Sequence, residues 1–223
     1  MRIAEIFHSI QGEGALAGVP SVFVRTSGCN LRCIWCDTPY TSWHPEGEEL
    51  AVGDILERVV AHGSDHVVVT GGEPMIAPGI VELTRGLRQR GLHITIETAG
   101  TVYAPVACDL MSISPKLANS TPADPWAAQH DRLRVQPEVL RRLMDEFDYQ
   151  LKFVVARPED LRELAGLVAQ LGADKHKVAL MPEGVDRDTL RQRSRWLAEV
   201  AKLEGFRLSP RLQIEIWGNE RSK

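Results

Sequence analysis

The chain has 223 residues, 43% hydrophobic and 25% charged, which is typical of a soluble globular protein with one sizeable core. Its net charge is −4 without a basic block, which argues against direct nucleic-acid binding, since that binding depends on clustered Lys and Arg. No apolar run approaches the roughly 20 residues that cross a bilayer. Met1–Ile10 carries Glu5 and His8 and predicts a strand rather than a secretory signal, so a cytoplasmic protein is expected.

Apolar, β-branched runs then alternate with amphipathic stretches. Predicted strands cover Ser21–Ser27, His66–Thr70, His93–Thr98, Leu110–Ser114, Gln150–Val155, Lys177–Met181 and Leu212–Trp217. Predicted helices cover Val52–His62, Pro78–Arg90, Pro137–Glu146, Pro158–Leu171 and Arg187–Leu203. Predicted loops cover Tyr40–Glu49 and Ala118–Pro137.

Short buried strands that alternate with helices indicate a parallel α/β sheet. The chain is shorter than the roughly 250 residues of a complete eightfold barrel. We therefore predict a single domain, residues 1–223, folded as a partial TIM-like barrel of about six parallel strands.

Three cysteines, Cys29, Cys33 and Cys36, stand at Cys-x3-Cys-x2-Cys spacing. Thiolates are the usual ligands of iron–sulfur clusters, and three of them leave one iron of a four-iron cube open for a cofactor. A zinc knuckle or buried structural cysteines are the alternatives, but structural zinc sites normally use four ligands in two pairs. Only Cys108 remains, and we predict that it is a core thiol. The clustering favours a reducing compartment and a metal site.

Polar clusters follow several predicted strands at their carboxyl ends, where parallel α/β folds place their sites. In Thr70–Pro74 (TGGEP), glycines admit a ligand close to the backbone and Glu73 can accept hydrogen bonds from an ammonium group; a plain turn is the alternative. The hydroxyls of Glu97–Thr101 and Ser112–Lys116 suit a ribose or a carboxylate, or else capped turns. Met181–Gly184 either packs against an adenine or turns the chain.

Three other features suggest ligand contacts. Gln11 and Glu13 present the donors and acceptors that match the amide edge of a purine or pterin, the alternative being a solvated loop. Arg25, on an apolar strand, suits bidentate carboxylate recognition or an ion pair with a nearby Glu. Asp37 and Thr38 follow the third cysteine, where an oxygen ligand could hold Mg²⁺ or simply cap a helix or turn.

Together these motifs resemble the 7-carboxy-7-deazaguanine synthases of the radical S-adenosylmethionine (SAM) superfamily. The likeness runs from Glu5 to about Gly218, and its most specific parts are Ile6–Gly14 (IFHSIQGEG), Cys29–Thr38 (CNLRCIWCDT), Thr70–Pro74 and Ser112–Lys116. The cysteine triple and GGEP are common to the superfamily. The QGEG loop (Gln11–Gly14), together with Cys36–Thr38 (CDT), indicates this family.

The resemblance implies a reduced [4Fe–4S] cluster on Cys29, Cys33 and Cys36 that cleaves SAM to a 5′-deoxyadenosyl radical. The radical would take a hydrogen from C6 of 6-carboxy-5,6,7,8-tetrahydropterin, and ring contraction with loss of ammonia would give 7-carboxy-7-deazaguanine, a precursor of 7-deazapurines such as queuosine. SAM would be regenerated and Mg²⁺ would assist. A flavodoxin or ferredoxin as electron donor and a homodimer are also implied.

The resemblance also assigns residues to each ligand. Substrate contacts fall to Ile10, Gln11, Gly12, Glu13, Arg25 and Thr70, and Mg²⁺ falls to Thr38. SAM contacts fall to Trp35, Cys36, Asp37, Gly72, Glu73, Ser114, Pro115, Lys116, Leu180, Met181, Pro182 and Glu183. Leu180 stands where some relatives have Gln. Some relatives use a C-terminal carboxylate at the substrate; here the chain runs on to Lys223, so that role is not assigned, and Gln213 is a substitute candidate.

Two alternative functions are compatible with parts of the pattern. A glycyl-radical enzyme activase uses the same cysteine spacing, but it acts on a protein loop, whereas QGEG suits a small polar heterocycle. A non-catalytic iron–sulfur or zinc module would need a fourth protein ligand, for which Cys108 is the only remaining cysteine.

Overall fold

A single mixed sheet organises the computed structural model, which describes residues 1–123 and 125–223. Its strands are β1 (Arg2–Ile10), β2 (Pro20–Thr26), β3 (Glu48–Glu49), β4 (His66–Gly71), β5 (His93–Thr98), β6 (Leu110–Ile113), β7 (Tyr149–Val155), β8 (Val178–Pro182) and β9 (Arg207–Leu208). Their order across the sheet is β3-β1-β2-β4-β5-β6-β7-β8-β9. The strands from β2 to β9 in that order pair in parallel, while β1 pairs antiparallel with both β2 and β3.

This architecture confirms the predicted partial barrel with six substantial parallel strands, β2 and β4–β8, followed by the short β9. Because parallel strands all end at the same edge, the loops after them meet on one face of the molecule.

Helices lie between most of the consecutive strands, and the last helix follows β9. They are α1 (Pro39–Ser42), α2 (Val52–Ala61), α3 (Ile80–Gln89), α4 (Ala127–Leu133), α5 (Pro137–Glu146), α6 (Asp160–Leu171), α7 (Arg187–Glu204) and α8 (Leu212–Trp217). Local signals fix the ends of α7: the Asp186 carboxylate accepts from the Thr189 backbone N–H at 2.8 Å, and the helix stops at Gly205, whose φ of 76° favours glycine. Among the described residues, none of these helices combines the length and the apolar character needed to cross a bilayer.

The core lies between the sheet and these helices. Val67, Val69, Ile94 and Ile96 on the central strands are fully buried, and the helices cover them with residues such as Leu83. Burial of this apolar surface holds the strand ends, and therefore the loops above them, in fixed positions.

The predicted strand Leu212–Trp217 is wrong, because this segment forms helix α8. Its alternation of apolar and polar residues imitates a strand, but Arg207 and Leu208 already occupy the sheet edge beside β8. Beyond β9, the Ser209 backbone N–H still donates to the Leu180 carbonyl at 2.8 Å, and the Leu212 backbone N–H donates to the Gly12 carbonyl at 2.9 Å. An element without a free strand to pair with satisfies its backbone internally, as a helix does.

The two predicted loops also contain short elements. Tyr40–Glu49 includes most of α1 and the two-residue strand β3, which pairs with β1. Ala118–Pro137 includes a 3₁₀ turn at Ala118–Ser120 and helix α4. Tertiary contacts stabilise α4, because His130 is buried and bonds to Ser120 at 2.9 Å.

Candidate active site

A cavity of about 470 Å³ opens at the carboxyl ends of the parallel strands, within the usual range for small-molecule sites. Most of the predicted site residues line it. They are Ile10, Gln11, Gly12, Glu13, Arg25, Cys29, Cys33, Trp35, Cys36, Asp37, Thr38, Thr70, Gly72, Ser114, Lys116, Met181 and Glu183. Loops separated by up to about 200 residues in sequence therefore meet in one place, as expected for parallel strands.

Four predicted SAM contacts do not line this cavity: Glu73, Pro115, Leu180 and Pro182. Leu180 has no exposed surface and belongs to the apolar core, because its side chain lies on the inner face of β8. Glu73 is also buried, and its carboxylate accepts from the Thr98 hydroxyl at 2.7 Å and the Ala99 backbone N–H at 2.8 Å. Burial raises the pKa of Glu73.

The three cysteines of the triple line one wall of the cavity as free thiols. Burial raises the pKa of Cys29 to about 12 and of Cys33 to about 11. Within the described ranges, no three His, Cys, Asp or Glu side chains are grouped tightly enough for a single metal ion. An iron–sulfur cluster does not need such a group, because each thiolate ligates a different iron. The donor set therefore fits a cluster better than a mononuclear zinc site.

The glycine-rich loop after β4 packs backbone against backbone beside the first cysteine. The Glu73 N–H donates to the Gly28 carbonyl at 2.9 Å, and a Cβ built on Gly72 would lie 2.1 Å from that same oxygen. A side chain at position 72 cannot be accommodated without moving the loop that carries Cys29. The loop geometry, rather than a preference for turns alone, explains the glycine.

We expect Gly72→Ala to destabilise the metal-free protein by about 1–3 kcal/mol, since the clash is with backbone atoms that cannot rotate away. Urea unfolding measures this change. Gly53→Ala is the matched control, because Gly53 lies in helix α2 with open space around its Cβ position and should gain up to about 1 kcal/mol. Equal stability of the two variants would contradict this account of the loop.

A buried charge network forms the floor of the cavity on the side of the QGEG loop. Lys152, on β7, forms ion pairs with Glu13 at 2.5 Å and with Glu97 at 3.5 Å, and its side chain is only 4% exposed. The guanidinium of Arg211 donates to the other Glu13 oxygen at 3.1 Å, as does the Gln213 amide at 2.9 Å. Burial acts to raise the pKa of Glu13, but Lys152 and Arg211 outweigh it and hold that pKa well below the usual glutamate range. Glu13 is therefore an ionised acceptor.

Gln11 joins this network from the opposite side. Its amide N–H donates to Glu97 at 3.2 Å, and its amide oxygen accepts from the Glu13 backbone N–H at 3.1 Å. The Thr70 hydroxyl donates to the second Glu97 oxygen at 3.2 Å. Glu97 thus connects the two predicted substrate contacts Gln11 and Thr70.

Arg25 makes the ion pair that the sequence left as an alternative, since its Nε donates to Glu5 at 2.8 Å. Arg25 also lines the cavity, and its contact with a substrate carboxylate stays a prediction. The Tyr40 hydroxyl donates to the same Glu5 oxygen at 2.8 Å. Burial raises the pKa of Tyr40 to about 12, so its hydroxyl stays protonated.

Several of the predicted SAM contacts are aromatic, cationic or hydroxyl-bearing groups. The Lys116 ammonium bonds to the Ser114 hydroxyl at 2.8 Å and lies 5.6 Å from the centre of the Trp35 ring. The Trp35 indole N–H donates to the Asn119 carbonyl at 3.0 Å, which fixes the ring. Thr38 lies next to the third thiol, with its hydroxyl 3.9 Å from the Cys36 sulfur.

The last residues, 218–223, also line the cavity, which the sequence did not predict. Arg221 stacks on Tyr40 at 3.7 Å and reaches Glu5 at 3.4 Å, and the Ser222 hydroxyl donates to Glu5 at 2.9 Å. This segment covers the side of the cavity where Arg25 lies.

Sequence reasoning missed Lys152, Glu97 as a connecting acid, Tyr40 and Arg211. Lys152 could have been found from the sequence, because it is a charged residue in the apolar run Gln150–Val155 and a buried cation needs a partner. Arg211 gave no such signal, because it follows Pro210 outside every predicted strand and helix.

Comparisons with known proteins agree with this geometry. Residues 23–118 match the family model "Radical SAM superfamily". A 7-carboxy-7-deazaguanine synthase of Halobacterium salinarum is 45% identical, covering 97% of this chain and 90% of the relative. One of Rhodopirellula baltica is 46% identical, covering 98% and 87%. The crystal structure of QueE from Escherichia coli matches with a TM-score of 0.69 and 29% identity, covering 93% of this chain and 92% of that one.

The fold, the cysteine triple and the family match define the class: a radical SAM protein. Within that class, the chain belongs to the 7-carboxy-7-deazaguanine synthase family, as the nearly full-length relatives show. The glycyl-radical activase alternative is not favoured, because these relatives carry the synthase name.

Proposed function

We propose that the protein is a radical SAM lyase that converts 6-carboxy-5,6,7,8-tetrahydropterin to 7-carboxy-7-deazaguanine with loss of ammonia, on the route to 7-deazapurines such as queuosine. The observation that carries the proposal is that the cysteine triple and the QGEG loop line the same cavity, in a member of this family. One continuous sheet and one main core, with a small second cluster of Phe7, Phe23 and Val68, support a single domain over residues 1–223. Free thiols support a cytoplasmic location.

Cys29, Cys33 and Cys36 would hold a [4Fe–4S] cluster. SAM would be held by Gly72, Ser114, Lys116, Trp35 and Glu183, which line the cavity. When bound, cluster and SAM supply the 5′-deoxyadenosyl radical that removes the substrate hydrogen. The protein contributes orientation and exclusion of water.

The charges of the cavity match the two ends of the substrate. Glu13 is ionised and accepts only, so it suits the N–H groups of a pterin amide and amine edge. Arg25 also lines the cavity and suits the substrate carboxylate, because its fork geometry allows further bonds beside the one to Glu5. Two oppositely charged anchors fix the orientation of a flat heterocycle between them.

Thr38 is the proposed Mg²⁺ ligand. Its hydroxyl lies on the cavity wall between the cysteine loop and α1, and Mg²⁺ takes one or two protein oxygens while its other ligands come from water and substrate.

The test is an anaerobic assay of the reconstituted, reduced protein with SAM, Mg²⁺ and the tetrahydropterin, with products followed by mass spectrometry. We expect 7-carboxy-7-deazaguanine and ammonia, with more product when Mg²⁺ is present. Formation of 5′-deoxyadenosine without the deazaguanine would retain the radical SAM class and exclude the proposed substrate.

We further propose a flavodoxin or ferredoxin as the electron donor. Substrate and SAM would occupy the cavity face of the cluster loop, so electrons must enter from another side. Ile34 supports this, because it lies between the second and third cysteines, is 63% exposed and does not line the cavity. A homodimer is also proposed, from the family resemblance alone.

We expect Ile34→Glu to slow cluster reduction by reduced flavodoxin roughly tenfold or more, since a charge in the centre of a small interface costs over 1 kcal/mol. Reduction by dithionite, which needs no protein interface, should be unchanged. Both rates follow from stopped-flow absorbance of the cluster. Leu203→Glu is the control, because Leu203 is 83% exposed and lies on α7 away from the cysteine loop. Slower reduction by both reductants would point to a damaged cluster site instead.

A further inference from the structure

Arg211 connects three loops of the cavity through one buried side chain that is 8% exposed. Its Nε donates to the Glu13 carboxylate at 3.1 Å, one Nη donates to the Gly184 carbonyl, and the other Nη donates to the Asp37 carboxylate. All three contacts are long-range in sequence, and each lies on a different loop.

The three partners belong to different parts of the proposed reaction site. Glu13 lies on the QGEG loop, where the pterin would bind. Asp37 follows Cys36 on the cysteine loop, and Gly184 follows β8 on the side assigned to SAM. The side chain of Arg211 therefore lies where the substrate, cluster and SAM regions join.

We propose that Arg211 is a positioning residue that sets the substrate relative to the SAM carbon that takes its hydrogen. The inference rests on the proposed function and adds to it a residue that touches neither reacting atom. Hydrogen transfer between two bound molecules depends strongly on their separation, so a loosened connection allows SAM cleavage without a correctly placed hydrogen donor.

The guanidinium is suited to this connection because its planar fork donates in several fixed directions at once, whereas an ammonium is a point charge. Lys152 supplies a second cation to Glu13, so loss of Arg211 leaves that carboxylate paired. Mutation of Arg211 can therefore break the connection between the loops while Glu13 keeps its charge and one cationic partner.

The experiment compares the wild-type protein with Arg211→Lys and Arg211→Gln. In productive turnover SAM is regenerated, so 5′-deoxyadenosine released per deazaguanine formed measures uncoupled cleavage. We expect this ratio to rise at least tenfold in both variants. If only the positive charge of Arg211 mattered, Arg211→Lys would keep the wild-type ratio of 5′-deoxyadenosine to deazaguanine. That result would overturn the inference.

A second readout uses the cluster-free protein and the product 7-carboxy-7-deazaguanine. We expect Arg211→Lys to bind the product within threefold of wild type by calorimetry. Product binding should slow hydrogen exchange in residues 29–38 of the wild-type protein, but not in either variant. Unchanged protection in the variants would overturn the connection between loops.

Arg88→Gln is the control for loss of an arginine ion pair, because Arg88 pairs with Asp109 at 3.0 Å outside the cavity. It should leave both readouts unchanged. A merely structural role of Arg211 predicts loss of product binding and product formation together at a constant uncoupling ratio, and this result also contradicts the inference. Wild-type protein that forms no deazaguanine contradicts the proposed function itself.

Discussion

Replacing Cys29, Cys33 or Cys36 by Ala is expected to abolish incorporation of a four-iron cluster and to reduce product formation below detection. The reason is that the cysteine triple provides the thiols on the cavity wall, so each single loss leaves a cluster with two protein ligands. Iron and sulfide content after anaerobic reconstitution measures the first effect, and the deazaguanine assay measures the second. Urea unfolding of the metal-free Cys29 and Cys36 variants should stay within about 1 kcal/mol of wild type, because these thiols are partly exposed and contribute little packing. Cys33→Ala removes one buried sulfur atom and should cost about 0.5–1.5 kcal/mol.

Cys108→Ala is the matched control. Its thiol lies 3.6 Å from the Ile94 carbonyl and does not line the cavity, and burial raises its pKa to about 12. We expect this variant to retain iron, SAM binding and product formation. Loss of iron in Cys108→Ala would instead support the four-ligand, non-catalytic module.

Glu13→Gln is expected to lower the free energy of unfolding by about 3 kcal/mol, since breaking a buried ion pair typically costs about 3–5 kcal/mol. The lower end applies because Glu97 still faces Lys152 and Asp37 still faces Arg211. Loss of the ionised acceptor should also reduce kcat/KM roughly a hundredfold, since removing one partner of a buried charged contact costs about 2–5 kcal/mol in binding. Urea unfolding and steady-state kinetics measure the two effects.

The pH dependence of stability gives an independent check on Glu13. Its pKa is lower in the folded protein than the ordinary value of 4.5, so its contribution is complete above that value and is lost as the pH falls through the folded pKa. Wild-type stability should therefore decrease below about pH 5, and Glu13→Gln should show a smaller decrease.

A second substitution separates stability from function. In Glu13→Gln/Lys152→Met the buried cation that keeps only its more distant partner, Glu97, is also removed, so we expect part of the lost stability to return. Product formation should not return, because the acceptor for the substrate N–H groups is still absent. Recovery of activity in the double variant would show that Glu13 acts only through packing.

Elements whose signals lie within neighbouring residues were predicted well. The six substantial parallel strands follow β-branched runs, and the helices α2, α3, α5, α6 and α7 begin and end within two residues of their predicted limits. The glycines that end α6 and α7 adopt left-handed conformations that the pattern favours. The strand predicted for Leu212–Trp217 is wrong because alternation is a local pattern, whereas a strand also needs an unpaired neighbour. The edge beside β8 is already occupied by β9.

The sequence by itself determined the cysteine triple, the alternation of the six main parallel strands with the five long helices, and the polar loops that follow the strands, since each depends on residues close together in the chain. The tertiary structure alone decided which charges meet. Lys152 reaches Glu13 across 139 positions and Arg211 reaches it across 198, and no local pattern encodes such pairs. The fold also buries Leu180 in the core, and it buries the Glu73 carboxylate against the Ala99 backbone N–H. Burial is the physical reason for these charge pairs, because a charged group removed from water is stable only beside a partner that the fold supplies.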